Sequence, residues 1–182
     1  MGAAMILFPT IYLVFWGVSM ALIVAVGAMP LWLHVDPRIH WLGGLAAACV
    51  NCLLHTSVMI HLVGTGRSIK DALPHVVAPK RDYLAAQTAI KTRSYPLATI
   101  CCLLACATAI LGGATRLVGL RGHVHGWSAA ALLLGNAVAA ALQYGLLVRN
   151  GALVGELEAE LEAVVQGMEA KGALPDVMPW QA

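Results

Sequence analysis

The sequence predicts an all-α integral membrane protein: a four-transmembrane-helix antiparallel bundle with a short helical cytoplasmic loop and a C-terminal amphipathic cytoplasmic helix. Three observations carry this. The 182 residues are 60% hydrophobic and only 11% charged, with a mean hydropathy of +0.80, too little charge for a conventional soluble surface. Apolar runs occur at about 8–29, 40–63, 96–115 and 124–148, each near the roughly 20 residues needed to cross a hydrocarbon core of ~30 Å. The remaining segments carry the charge. Eleven Lys and Arg against nine Asp and Glu give a net charge of +2, which excludes a basic nucleic-acid-binding surface.

The first span has no Lys or Arg before it, and Ala25-Val26-Gly27-Ala28 leads into Met29-Pro30 rather than a polar mature start. It reads as a retained helix rather than a cleaved leader. Orientation follows from loop charge. The segment 64–95 carries Arg67, Lys70, Lys80, Arg81, Lys91 and Arg93, whereas the opposite connections hold Arg38, Arg116 and Arg121. Six against three predicts N-in, C-in topology, and the expected location is a bacterial inner (cytoplasmic) membrane. Trp32, Trp41 and Trp127 fall at the outer ends of spans, where amphipathic rings settle.

Residues 1–149 are expected to form the membrane domain and 150–182 an acidic helix and tail. In the inner loop, Ser68-x-x-Asp71 predicts a capping box opening a short helix stopped by Pro74. Asp82 predicts the cap of a second helix running to about Arg93, before Tyr95-Pro96 starts span three. Beyond Gly151 and Gly155, Leu157, Leu161, Val164 and Met168 form one apolar stripe on an acidic helix, too short to stand alone. It is expected to pack on a partner or on the basic inner loop, and Pro175 to Ala182 read as an extended tail. Small residues recur every four positions, as in Gly17, Ala21, Ala25; Gly44, Ala48, Cys52; Ala105, Ala109, Gly113; and Ala131, Gly135, Ala139. Such ridges let helices approach closely, both within the bundle and against other subunits.

Polar groups inside a span are costly and mark candidate sites. His55 lies near the middle of span two with Asn51 one turn earlier, while Ser19, Cys102, Cys106, Asn136 and Gln143 complete a polar belt. Three roles for His55 compete. It ligates a haem b, with Met20 or a histidine of another subunit as second ligand; it hydrogen-bonds a quinone together with Asn51 or Asn136; or it is packing glue, bonded across helices to Asn136. His61, displaced by about 120° around the helix, sits beside Gly64-Thr65-Gly66-Arg67-Ser68. That turn is read as a helix exit offering backbone amides to an anion such as a lipid phosphate. A second cluster at the outer rim, His34, Asp36, His40, His123 and His125, suggests a Zn or Cu site, or a haem held edge-on. Against a metal ion there, these histidines also read as exposed polar groups at an interfacial helix start, with no Cys or clustered carboxylates to reinforce the site. The five Cys fall inside apolar runs and form no CxxC motif.

The stretch Leu111-Gly-Gly-Ala-Thr-Arg-Leu resembles the Gly-Gly-x-Thr-Arg-Leu stretch of haem A synthases over seven residues. The chain then departs from it, reading Val118-Gly-Leu-Arg-Gly, and no residue role is carried over. A small four-helix chain with buried histidine also resembles the membrane anchors and cytochrome b subunits of respiratory complexes in architecture. No nucleophile–base pair stands out, so the chain is not expected to be catalytic alone. The expected function is a membrane-embedded subunit of a redox complex, touching lipid and other subunits and passing electrons through haem or quinone near His55. The alternatives are a structural or assembly subunit without cofactor, and a homo-oligomeric channel or metal carrier.

Overall fold

The computed structural model describes residues 3–32, 36–76, 78–119 and 121–171. Four long helices, α1 (Ala3–Trp32), α2 (Pro37–Ala72), α3 (Tyr83–Leu117) and α4 (Gly122–Glu169), pack as a bundle, with one 3₁₀ turn at Leu73–His75 and no strand among the described residues. All four are long and apolar enough to cross a membrane. The helices contact one another in ring order, α1 to α2 to α3 to α4 and back to α1. Paired contacts fix the register of α1 on α2: Val26 meets His40, Ser19 meets Asn51, and Phe8 stacks on His61. Large apolar side chains such as Ile60, Leu103, Ile110 and Leu134 point outward and stay exposed. In water such a surface would aggregate; in lipid it costs nothing to leave uncovered.

The helices run further than the apolar stretches alone predict. A short helix opening at Ser68 is not formed, because α2 passes through it unbroken. Ser68 Oγ instead donates to the Gly64 carbonyl one turn back, and Asp71 pairs with Arg67 at 3.8 Å along the helix surface. The predicted turn at Gly64-Thr65-Gly66 is likewise helical. Its amides are engaged in the helix ladder and present no anion cradle. Gly66 lies beneath the flexible end of the Lys91 side chain of α3. Asp82 does cap α3, its Oδ1 accepting from Ala85 N at 2.8 Å. The two helices expected on either side of Pro96 are one, because α3 runs through that proline.

In the same way α4 continues through Gly151 and Gly155, giving 48 residues, roughly 70 Å of helix against a hydrocarbon thickness of ~30 Å. Its extension packs back on the chain itself. Leu153 and Leu157 are buried, and Glu160, 8% exposed, accepts a 2.6 Å hydrogen bond from Tyr83 Oη and a longer one from Lys80 N. Arg81 adds an ion pair to Glu156 at 3.1 Å. The acidic helix therefore covers the basic connection before α3, as its charge predicts. Leu161, Val164 and Met168 are only half-buried, so part of the stripe stays open. The tail from 172 lies outside the described residues.

Glu160→Ala leaves the buried Tyr83 hydroxyl without its acceptor, and a loss of about 1–3 kcal/mol is expected. Thermal unfolding in detergent reads this, together with faster proteolysis within 151–171; Glu160→Gln, which keeps an acceptor, should fall between the two.

Candidate functional site

Two features occupy the bundle interior: a polar network near its middle and a cavity toward the end that carries His40 and His125. In the network, His55 is wholly buried, with Nε2 2.9 Å from Asn136 Oδ1 and Nδ1 3.2 Å from Gln143 Oε1. A neutral imidazole carries one N–H and both neighbouring atoms are amide oxygens, so only one of these contacts is a hydrogen bond, and the shorter one assigns the proton to Nε2 and Asn136 as the acceptor. Gln143 Oε1 also accepts from Tyr12 Oη at 2.9 Å. Trp16 Nε1 donates to the Asn136 carbonyl, Ser19 Oγ to Asn51 Oδ1, and Asn51 Nδ2 to the Cys101 carbonyl. All four helices are joined through these side chains. Of the residues expected here, Asn51, His55, Asn136, Gln143 and Ser19 come together. Met20 is half-buried next to Ser19.

Axial ligation by His55 would break one of its two amide contacts, and among the described residues no second histidine shares its level. His61 stands apart, its ring 3.6 Å from that of Phe8 and nearly parallel, with Asn150 Nδ2 at 3.5 Å from Nε2. Cys102 and Cys106 turn toward Cys52 across the α2–α3 contact, the Cys52 and Cys106 sulfurs 4.0 Å apart, and all five thiols are free.

The cavity has a volume of about 700 Å³, within the ~300–1,000 Å³ range of small-molecule sites. Its walls are small side chains, Gly44, Ala47, Ala48, Ala105 and Ala109 among them, so the four-residue spacing of α2 and α3 opens space here instead of closing it. The α1 ridge of Gly17, Ala21 and Ala25 faces outward and lines nothing. Two imidazoles reach the cavity. His40 Nδ1 lies 3.0 Å from the Val26 carbonyl oxygen, an acceptor that places the proton on Nδ1 and leaves Nε2 with a free lone pair. The His125 ring centre is 6.1 Å from that of His40, with the ring planes 80° apart. His125 Nδ1 and the nearby Thr108 Oγ1 are both buried without a hydrogen-bond partner. Unpaired polar atoms at an apolar cavity ask for a ligand group, because leaving them unpaired costs free energy.

Gly112 makes this possible. A Cβ on Gly112 would approach His125 Cε1 to 3.0 Å, and one on Gly113 would approach Trp41 Nε1 to 3.4 Å. Both rings lie against the bare α3 backbone. Of the other rim residues, Asp36 caps α2 by accepting from Arg38 N at 2.8 Å, His123 is exposed, and His34 lies outside the described residues. Among the described residues no three His, Cys, Asp or Glu side chains converge as a metal site. Tyr12, Trp16 and Thr108 were not expected at either feature, since single polar or aromatic residues in an apolar run carry no spacing signal. The network also supports the cavity floor. Asn136 Nδ2 donates to the carbonyl of Leu132, a lining residue one turn away, and Asn51 and Cys101 lie one turn from Ala48 and Ala105.

A double-mutant cycle between His55→Ala and Asn136→Ala, read by thermal unfolding in detergent, should show a coupling of about 0.6 kcal/mol and at most roughly 1.7, the range of interhelical hydrogen bonds in lipid. Additive effects would mean the two side chains do not share a bond. No protein-family model, curated protein or solved structure matches the chain.

Proposed function

We propose that this chain is a membrane-embedded subunit of a multi-subunit redox complex, holding haem b in the cavity between His40 and His125 and passing electrons between a partner protein and the quinone pool. The observation that carries this reading is the pair of imidazoles in one apolar cavity. His40 and His125 would hold the haem iron through ring nitrogens, as paired histidines do in haem proteins, and their ring centres stand 6.1 Å apart at the cavity. The Val26 carbonyl holds the His40 ring by its far nitrogen, the arrangement that orients metal-ligating histidines and raises their basicity. Asn51, His55 and Asn136 then act as positioning residues beneath the cofactor.

The topology proposed is antiparallel, N-in and C-in, in a bacterial inner membrane, with the six basic residues of 64–95 on the cytoplasmic side. The cavity then opens in the outer half of the bilayer. Partner contact is supported by two uncovered faces, the outward α1 ridge of Gly17, Ala21 and Ala25 and the half-buried stripe of Leu161, Val164 and Met168. A quinone in the same cavity is a second reading, favoured by Thr108 Oγ1 and His125 Nδ1, two unpaired polar atoms suited to a quinone carbonyl or hydroxyl.

A reduced-minus-oxidised visible spectrum of the purified protein, with a pyridine haemochrome assay, is expected to give one haem b per chain. His40→Ala and His125→Ala should each remove the paired-histidine spectrum. His55→Ala should lower stability and leave the spectrum in place; loss of the band in that variant alone would move the ligand to His55. Gly112→Ala should shift the band by displacing His125 without unfolding the helix, since Gly to Ala otherwise favours a helix by about 1 kcal/mol. A featureless spectrum with extractable quinone would select the second reading. A partner-bound protein with neither cofactor would leave a structural subunit and overturn the proposal.

A further inference from the structure

At the opposite end of the bundle from His40, a groove of about 390 Å³ runs between α3 and α4. Three guanidinium groups border it, those of Arg81, Arg93 and Arg149, and one carboxylate, Glu156. That carboxylate is already paired with Arg81 at 3.1 Å, and Arg81 also lies over the Tyr83 ring at 5.8 Å. Arg93 and Arg149 are exposed, and among the described residues no carboxylate stands within ion-pair distance of either. The groove thus keeps two uncompensated positive charges. Its floor is apolar, made by Ala89, Ile90 and Leu146.

The positions of the two arginines along the chain give the groove its depth. Arg93 precedes the apolar run that begins at 96, and Arg149 follows the one that ends at 148. Both therefore stand at the level where hydrocarbon gives way to headgroups. A guanidinium presents a planar fork of donors that matches a phosphate, and basic pockets between membrane helices recognise anionic headgroups in this way. We infer that this groove binds an anionic phospholipid, its phosphate held by Arg93 and Arg149 and an acyl chain lying along the Ala89, Ile90 and Leu146 floor. The inference rests on the helices spanning a bilayer and is independent of any cofactor in the cavity.

Native mass spectrometry of the full chain, released from detergent after addition of phosphatidylglycerol, phosphatidylcholine or inorganic phosphate, tests it. Wild-type protein should retain phosphatidylglycerol in preference to phosphatidylcholine. Arg93→Gln with Arg149→Gln should weaken that retention by about tenfold or more, as expected for losing hydrogen bonds to a charged group, while Lys70→Gln, an exposed basic residue elsewhere, should not. If the double Gln variant fails to fold, Arg93→Lys with Arg149→Lys keeps the charge and is expected to weaken binding by losing the fork geometry. Equal retention of both lipids would overturn the proposal, as would retention unaffected by the Gln pair, or by the Lys pair where that is the variant that folds. Binding of inorganic phosphate that phosphatidylglycerol does not displace would assign the groove to free phosphate instead.

Discussion

A buried hydrogen-bond network with no access to water holds the four helices in register, and the other features depend on it. Lipid tails are as apolar as the leucines that face them, so burial alone gives these helices little reason to choose one packing over another. The bonds of Tyr12 to Gln143 and of His55 to Asn136 give that reason. The groups they join would be left unsatisfied by a rotated or shifted helix, at a cost of several kcal/mol in hydrocarbon. Ser19 and Asn51 extend the same constraint to α1 and α3.

With the register fixed, small residues have two opposite effects. On α1 they face outward, and a Cβ on Gly17 would meet nothing within 4 Å. On α2 and α3 they retreat from the bundle axis near His40 and His125 and leave a cavity of about 700 Å³. A half-open cavity of this size has room for a ligand or a lipid chain. The polar atoms that remain unpaired at its wall, on His125 and Thr108, give it chemical direction.

The other end of the molecule is held by charge. Glu160 is buried because Tyr83 and the Lys80 amide supply donors to it, and the ion pair of Arg81 with Glu156 lies alongside. This closes the extension of α4 onto the start of α3, so the long helix does not project free into solvent. It also uses up the acidic neighbour of the groove and leaves Arg93 and Arg149 uncompensated.

An all-helical chain with four long apolar helices and the cap at Asp82 were legible in the amino-acid order, because these depend on local composition and on hydrogen bonds a few residues apart. The same order also placed Asn51, His55 and Asn136 at a common level, since depth along a helix follows from counting. Rotation about each helix axis was not legible there, because it depends on packing between residues far apart in the chain. That rotation turns the α1 small-residue ridge outward, sets the ring centres of His40 on α2 and His125 on α4 6.1 Å apart, and turns both nitrogens of His55 toward amide oxygens of α4. Helix ends were equally hidden: glycine and proline at 66, 96, 151 and 155 disfavour a helix locally, yet contacts with neighbouring helices and the need to pair every backbone group in an apolar setting carry α2, α3 and α4 through them.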